Sequence, residues 1–188
     1  MNRSSRFISL SGLSGISAGI IALIGAYVAY QTVYINQDFA YGKAIITNES
    51  LATLLLIAIG TIILSIGTVI YFTTRETKKR NQKAWDHQTK RLLINLAIPL
   101  ITGGLFCLML LFKGYIGMVA PLTLIFYGLA LVNASKYTLN EIRSLGIIEI
   151  ILGLLATHFI GFGLLFWTLG FGILHIVYGF VMHVRNQS

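Results

Sequence analysis

Charge is what this sequence has least of. Only 11% of its 188 residues are Asp, Glu, Lys or Arg, against about 25% in an average soluble domain. So few charges cannot cover a water-facing surface. A soluble globule, a disordered tail and a free nucleic-acid-binding domain are therefore excluded, in spite of a net charge of +8. Cysteine is nearly missing as well. Cys107 alone permits neither an intrachain disulfide nor a thiolate metal cluster. Proline occurs only at Pro99 and Pro121, both inside apolar runs. Pro99 stands just before Thr102-Gly103-Gly104, where a helix is expected to bend.

Apolar length is what the chain has in abundance. Hydrophobic residues make up 56% of it, and the mean hydropathy is +0.80. A spanning helix needs roughly 20 mostly apolar residues. Six stretches qualify, at 7–30, 51–72, 92–112, 115–133, 145–160 and 163–184. The fifth is the shortest and carries a glutamate. Gly161-Phe162-Gly163 and Lys113-Gly114 divide long apolar runs at residues that tolerate tight reversals. The first run exceeds the roughly 7–15 residues of a signal-peptide core and no small-x-small site follows it, so it is expected to stay attached. The expected fold is all-α: one domain, 1–188, forming a bundle of six transmembrane helices in three hairpins.

Orientation follows from the basic residues. With six crossings, twelve of the fourteen Lys and Arg side chains fall on one side, and only Lys43 and Lys113 on the other. The positive-inside rule then places both termini in the cytoplasm. Most of these cations lie in 75–91, where Arg75, Lys78, Lys79, Arg80, Lys83, Lys90 and Arg91 are expected to rest on anionic headgroups, at about 1 kcal/mol per basic side chain. Docking of a cytoplasmic partner is the alternative. Glu76 and Arg80, and Asp86 and Lys90, are spaced by four, which favours helical continuations into this loop. Nucleic-acid binding has nothing beyond charge to support it. The outer loop 31–50 mixes Tyr34, Ile35, Phe39, Tyr41, Ile45 and Ile46 with Asn36, Asp38 and Asn48. It is expected to fold back as a cap or lie in the interface, with ligand or partner contact as the other reading. Asn48-Glu49-Ser50 also matches a glycosylation sequon.

In lipid, helices associate through small residues that allow close approach. Gly15 and Gly19 stand four apart in the first helix, Gly153 lies in the fifth, and Gly172 and Gly179 lie in the sixth. Packing within one bundle is expected of them; homo-oligomerisation, or pairing with a membrane partner, is the alternative. Ionisable residues inside the spans are few and therefore informative. Glu149 lies thirteen residues before Phe162, and His175 thirteen after it. At 1.5 Å per residue both sit about 20 Å from the outer turn, at matching depth. Gly146, Glu149, Gly153 and Ala156 share one face of helix five. Thr168, Gly172, His175, Gly179 and His183 share one face of helix six. Glu149 and His175 are expected to meet, hydrogen-bonded or as an ion pair, because a lone charge at that depth is costly. The pair reads either as a structural stitch or as a proton or ion relay. His158, Thr168, Asn95 and Asn133 are candidate lining for a relay.

Enzyme signatures are thin. Gly12-Leu13-Ser14-Gly15 matches the G-x-S-G string of intramembrane rhomboid proteases, but the rest of that pattern is missing and a nucleophile needs a base in reach. Neither a metal site nor a cofactor is expected: His175 and His183 are two turns apart, about 12 Å along a helix. The lines RFISLSGLSGISAGIIALIGAY, RLLINLAIPLITGGLFCLMLLF, PLTLIFYGLALVNASKYTLNEIRSLGIIEIILGLL and IGFGLLFWTLGFGILHIVYGFVMH together resemble a group of small uncharacterised bacterial six-helix membrane proteins. That resemblance implies a bacterial inner-membrane location. Tyr127-Gly128-Leu129 and Phe171-Gly172-Ile173 are also similar, more weakly, to repeat positions in six-helix acid-resistance membrane proteins built from short hairpins. The function expected is non-enzymatic, with an accessory, sensing or envelope-stress role; a small transporter or channel using Glu149 and His175 is the alternative.

Overall fold

The computed structural model describes residues 12–35, 47–79, 87–138 and 140–185, and all of its regular structure is helical. Six rods follow one another. α1 is Gly12–Ala29, prolonged by a π turn over Tyr30–Tyr34. α2 is Asn48–Lys79 and α3 is His87–Phe112. α4 is Val119–Ala134, flanked by 3-10 turns at Ile116–Met118 and Ser135–Tyr137. α5 is Asn140–His158. α6 covers Gly163–Arg185, with a π segment over Thr168–Leu174 in its middle.

Five rods are long and apolar enough to cross a membrane: Gly12–Val33, Asn48–Lys78, His87–Phe112, Ile116–Tyr137 and Gly163–Arg185. The chain is a multi-pass membrane protein. The difference from the sequence expectation is α5. It has 19 residues, about 28 Å at the helical rise and enough for the roughly 30 Å hydrocarbon core. However, Glu141, Arg143 and Glu149 all fall within it. α2 and α3 exceed their expected spans because Arg75–Lys79 and His87–Arg91 continue the helices beyond the apolar runs. Residues 80–86 of the basic loop, with Arg80 and Lys83, and residues 36–46 of the outer loop lie outside the described residues.

Both expected glycine reversals have the backbone that requires glycine, with φ of +80° at Gly114 and +110° at Gly161. Proline is accommodated in two ways. Pro121 is buried in the first turn of α4, close to the helix start, where proline is better tolerated than in a helix interior. Pro99 lies within α3, and the helix continues through it.

Glycine decides which rods pack closely. A Cβ on Gly19 would come within 2.7 Å of the Gly172 carbonyl oxygen, and one on Gly15 within 3.0 Å of the Gly179 Cα, so α1 and α6 touch backbone to backbone. A Cβ on Gly128 would lie 2.5 Å from the Gly146 oxygen, and one on Gly153 2.8 Å from the Pro121 oxygen, so α4 and α5 do the same. Both pairs run antiparallel along most of their length. This modifies the third hairpin read from the sequence. α5 and α6 are joined by a tight turn, yet the small face of α5 is spent on α4, and the glycine face of α6 on α1. α2 packs mainly on α1, and α3 on α4. The apolar core lies where α3, α4, α5 and α6 converge, around Leu131, Ile142 and Leu145, with Leu96, Leu174 and Tyr178 against them.

Candidate functional site

A buried polar cluster lies where α4, α5 and α6 meet. Glu149 projects from the middle of α5 and is wholly buried, at 0% exposure. It is directed at Gly170: a Cβ there would collide with Glu149 Oε2 and would lie 2.5 Å from Leu124 Cδ2. Only glycine leaves room for the carboxylate at this point.

Gly170 also lies within the π segment of α6, where the usual i→i−4 ladder is interrupted. Its carbonyl oxygen takes a hydrogen bond from His175 Nδ1 at 2.9 Å. A carbonyl can only accept, so Nδ1 carries a proton. In the neutral ring Nε2 then accepts from the Tyr127 hydroxyl, 2.7 Å away; in the doubly protonated ring Nε2 donates to the same oxygen. Either way the imidazole is held at both nitrogens, by α6's own backbone and by α4.

Glu149 Oε1 lies 3.6 Å from His175 Nδ1. That is ion-pair distance without a hydrogen bond, because the Nδ1 proton points to Gly170. Neither carboxylate oxygen has a hydrogen-bond partner among the described residues. The pair is net neutral whether the proton resides on the carboxylate or on the ring, and one proton decides between two charged groups and none. A buried carboxylate whose acceptors are both unused is a costly arrangement, and in natural proteins such groups usually serve a purpose beyond packing.

The four lining candidates are not brought to this cluster. Asn133 Nδ2 donates to the Asn95 backbone oxygen at 2.9 Å, which ties α4 to α3. Asn95 Nδ2 donates to Arg91 O at 2.8 Å, and Thr168 Oγ1 to Leu164 O at 2.7 Å. His158 is exposed at the end of α5, edge-on to Phe159. These short polar side chains satisfy themselves on nearby backbone. Ser14 of the G-x-S-G string is fully buried within α1.

Sequence reasoning missed Tyr127 and Gly170. A tyrosine in the middle of an apolar span needs a partner for its hydroxyl, and that signal could have drawn attention to Tyr127. Aromatic rings continue from the cluster toward the Gly161 turn. Tyr127 and Phe171 have ring centroids 4.9 Å apart, and so do Phe171 and Trp167. Trp167 then forms part of the wall of a cleft of about 200 Å³ in the half of the bundle nearer the Gly114 turn. Ala26, Leu54, Ala58, Leu111 and Ala120 are among its other walls, whereas Glu149, His175 and Tyr127 are not.

At the opposite end, Arg185 of α6 pairs with Glu141 of α5. Arg75, Lys78, Lys90 and Arg91 are exposed on the extensions of α2 and α3. Among the described residues no group of three or more His, Cys, Asp or Glu side chains could hold a metal ion. Comparison of the chain with protein-family models, with curated proteins and with solved structures finds no match.

Proposed function

We propose that this is a non-enzymatic membrane protein that responds to proton availability through Glu149, His175 and Tyr127, in a sensing or envelope-stress role. The observation that carries the reading is the state of Glu149: wholly buried, 3.6 Å from a histidine nitrogen, and with both oxygens unpartnered. A stitch serving only to hold helices would gain from a direct hydrogen bond. Leaving the carboxylate unpartnered keeps two proton arrangements accessible, and α6 carries the response because both His175 and the Gly170 carbonyl belong to it. The similarity of the Tyr127 and Phe171 segments to acid-resistance membrane proteins agrees with this role.

The proposed setting is a bacterial inner membrane crossed six times, with both termini cytoplasmic and the basic 75–91 segment on anionic headgroups. Support for the sixth crossing comes from the packing of α5. It runs antiparallel to α4 from Gly146 beside Gly128 to Gly153 beside Pro121. It also meets α6 at both ends, through Glu141 with Arg185 and Phe159 with Phe166. A rod flanked so completely by two spanning helices crosses with them.

The test is infrared titration of the purified protein in lipid. A carboxylic-acid C=O band that comes and goes with pH, and that vanishes in Glu149→Gln, is the expected result. A band unchanged across the stable pH range, or one that persists in Glu149→Gln, refutes the reading. The second reading is a proton-coupled carrier, and one observation favours it: Trp167 in the cleft wall packs on Phe171 at 4.9 Å, and Phe171 stacks on His175 at 6.0 Å. Proton flux into vesicles that is lost in Glu149→Gln would establish that reading instead.

A further inference from the structure

A proton reaches a buried carboxylate along polar groups, and around Glu149 these lie on one side. Toward the Gly161 turn its surroundings are apolar or aromatic. α5 presents Gly153 and Ala156 there, α4 presents Leu124, and α6 presents Phe171 and Trp167. The threonines in that half are each bonded to their own helix: Thr123 to Ala120 O and Thr168 to Leu164 O, both at 2.7 Å, and Thr61 to Ile57 O at 2.8 Å. Their hydroxyl protons are already placed on carbonyls.

Toward the Arg185 end the groups differ. The Tyr127 hydroxyl meets His175 Nε2. Tyr178 follows one turn along α6 from His175, about 4.5 Å at the helical rise. Both tyrosines pack against the cluster of Leu131, Ile142 and Leu145. The Tyr178 hydroxyl lies within electrostatic range of the Tyr127 hydroxyl on α4 and of the Glu141 carboxylate on α5. That hydroxyl is buried and has no partner among the described residues. A buried polar group in this state is ordinarily bonded to an ordered water. Two turns beyond it Arg185 pairs with Glu141, whose side chain is 28% exposed, so the last carboxylate in the series touches solvent. Of the other neighbours, α3 offers the apolar Leu96, and His183 lies on the α1-facing side of α6 against Gly12. The direct line along α5 from Glu149 to Glu141, about 12 Å, is closed by the buried Leu145. The two tyrosines lead around it.

We propose that Glu149 exchanges its proton with the aqueous phase at the Arg185 end of the bundle and not at the Gly161 end, through His175, Tyr127 and a water bound at the Tyr178 hydroxyl. The inference rests on the proton-responsive reading of Glu149 and adds the route and its direction. In loading, the water gives a proton to the Tyr127 oxygen as Tyr127 gives its own to His175 Nε2. The ring then releases its Nδ1 proton to Glu149 Oε1, 3.6 Å away. The water is replenished from the Glu141 end, so one proton enters and one carboxylate becomes neutral.

The test follows the infrared band of Glu149 after a jump in external pH across sealed vesicles. The share of molecules with the Arg185 end outward is measured by impermeant maleimide labelling of Lys136→Cys in a Cys107→Ser background. The share of the band that responds fast is expected to equal it. Tyr178→Phe is expected to slow that phase about a hundredfold, the lower end of what a positioned proton-transfer group supplies. Its titration midpoint and helical circular dichroism should stay unchanged, a split that a tyrosine serving packing alone would not produce. Thr123→Val, in the other half of the bundle, should leave the rate as it is. A fast share equal to the opposite orientation, or an unaltered rate in Tyr178→Phe, overturns the route and leaves Glu149 proton-responsive. A band that answers to pH on neither side overturns both.

Discussion

Gly170→Ala probes the contact on which the polar cluster depends. The added methyl would stand 2.5 Å from Leu124 Cδ2 and closer still to Glu149 Oε2. Non-bonded heavy atoms prefer about 3.5–4.0 Å, so one side of the contact must yield by about 1 Å. The Leu124 methyl can rotate, but the carboxylate is enclosed and can retreat only by disturbing its 3.6 Å approach to His175. Overpacking a filled interior costs about 1–3 kcal/mol, and the better helix propensity of alanine returns up to about 1 kcal/mol. The net expectation is a loss of about 1–2 kcal/mol, or about 2–8 °C in the thermal midpoint by the scaling for chains of this size. Helical circular dichroism in detergent measures it. The companion variant is Glu149→Ala/Gly170→Ala, in which the space vacated by the carboxylate takes the methyl. Its destabilisation should fall short of the sum of the single changes by about 1 kcal/mol or more. A Gly170→Ala midpoint equal to wild type, or strict additivity in the double variant, would refute the packing argument.

Tyr127→Phe removes the 2.7 Å hydrogen bond to His175 Nε2 and should cost about 0.5–1.5 kcal/mol. It should also shift the infrared titration of Glu149, an effect that a merely structural tyrosine would not produce. Gly19→Leu drives a side chain into the Gly172 carbonyl and Ile176, so the thermal midpoint should fall sharply. Gly60→Leu, on a face of α2 where an added Cβ meets nothing within 4 Å, should leave the midpoint unchanged. If Gly60→Leu instead breaks up an oligomer in size-exclusion chromatography with light scattering, that face is where a second copy sits. Single cysteines at the exposed Lys136 and Phe162, in a Cys107→Ser background, should be labelled from opposite sides of sealed vesicles. Labelling from the same side would mean that α5 does not cross.

Much of this architecture was legible because lipid imposes a simple grammar. Apolar length marks the rods, and Gly114 and Gly161 mark two of the reversals. The scarcity of charge singled out Glu149 and His175, and the helical rise alone put them at one depth. What the sequence did not reveal was partnership. Glycine at 128, 146 and 153 announces a close approach without saying to which rod, and α5 went to α4 rather than chiefly to α6. Asn95 and Asn133 are polar and deep, as lining residues would be, but backbone carbonyls within reach satisfy them first. The π segment is invisible for a different reason. Thr168–Leu174 keeps a helical pattern of apolar and small residues, and only the register of the backbone distinguishes it. Tyr127 lies 48 residues from His175, and no local pattern connects them.

The order in which the chain is made gives the α5 arrangement a further meaning. α5 carries three charged residues in 19, so it is the rod least able to leave the insertion machinery for lipid unaided. Its small face can dock on α4 as soon as it appears, since α4 has already been synthesised. Glu149, however, must wait for a histidine encoded 26 residues later. Until α6 arrives the acid faces an unfinished wall, and α6 can arrive properly only by also lying against α1, the first of the six described rods. α6 thus packs on α1 and encloses the acid in a single step. A bundle truncated before His175 would keep five of its rods yet expose a carboxylate within the membrane, a form that cellular quality control could recognise as incomplete.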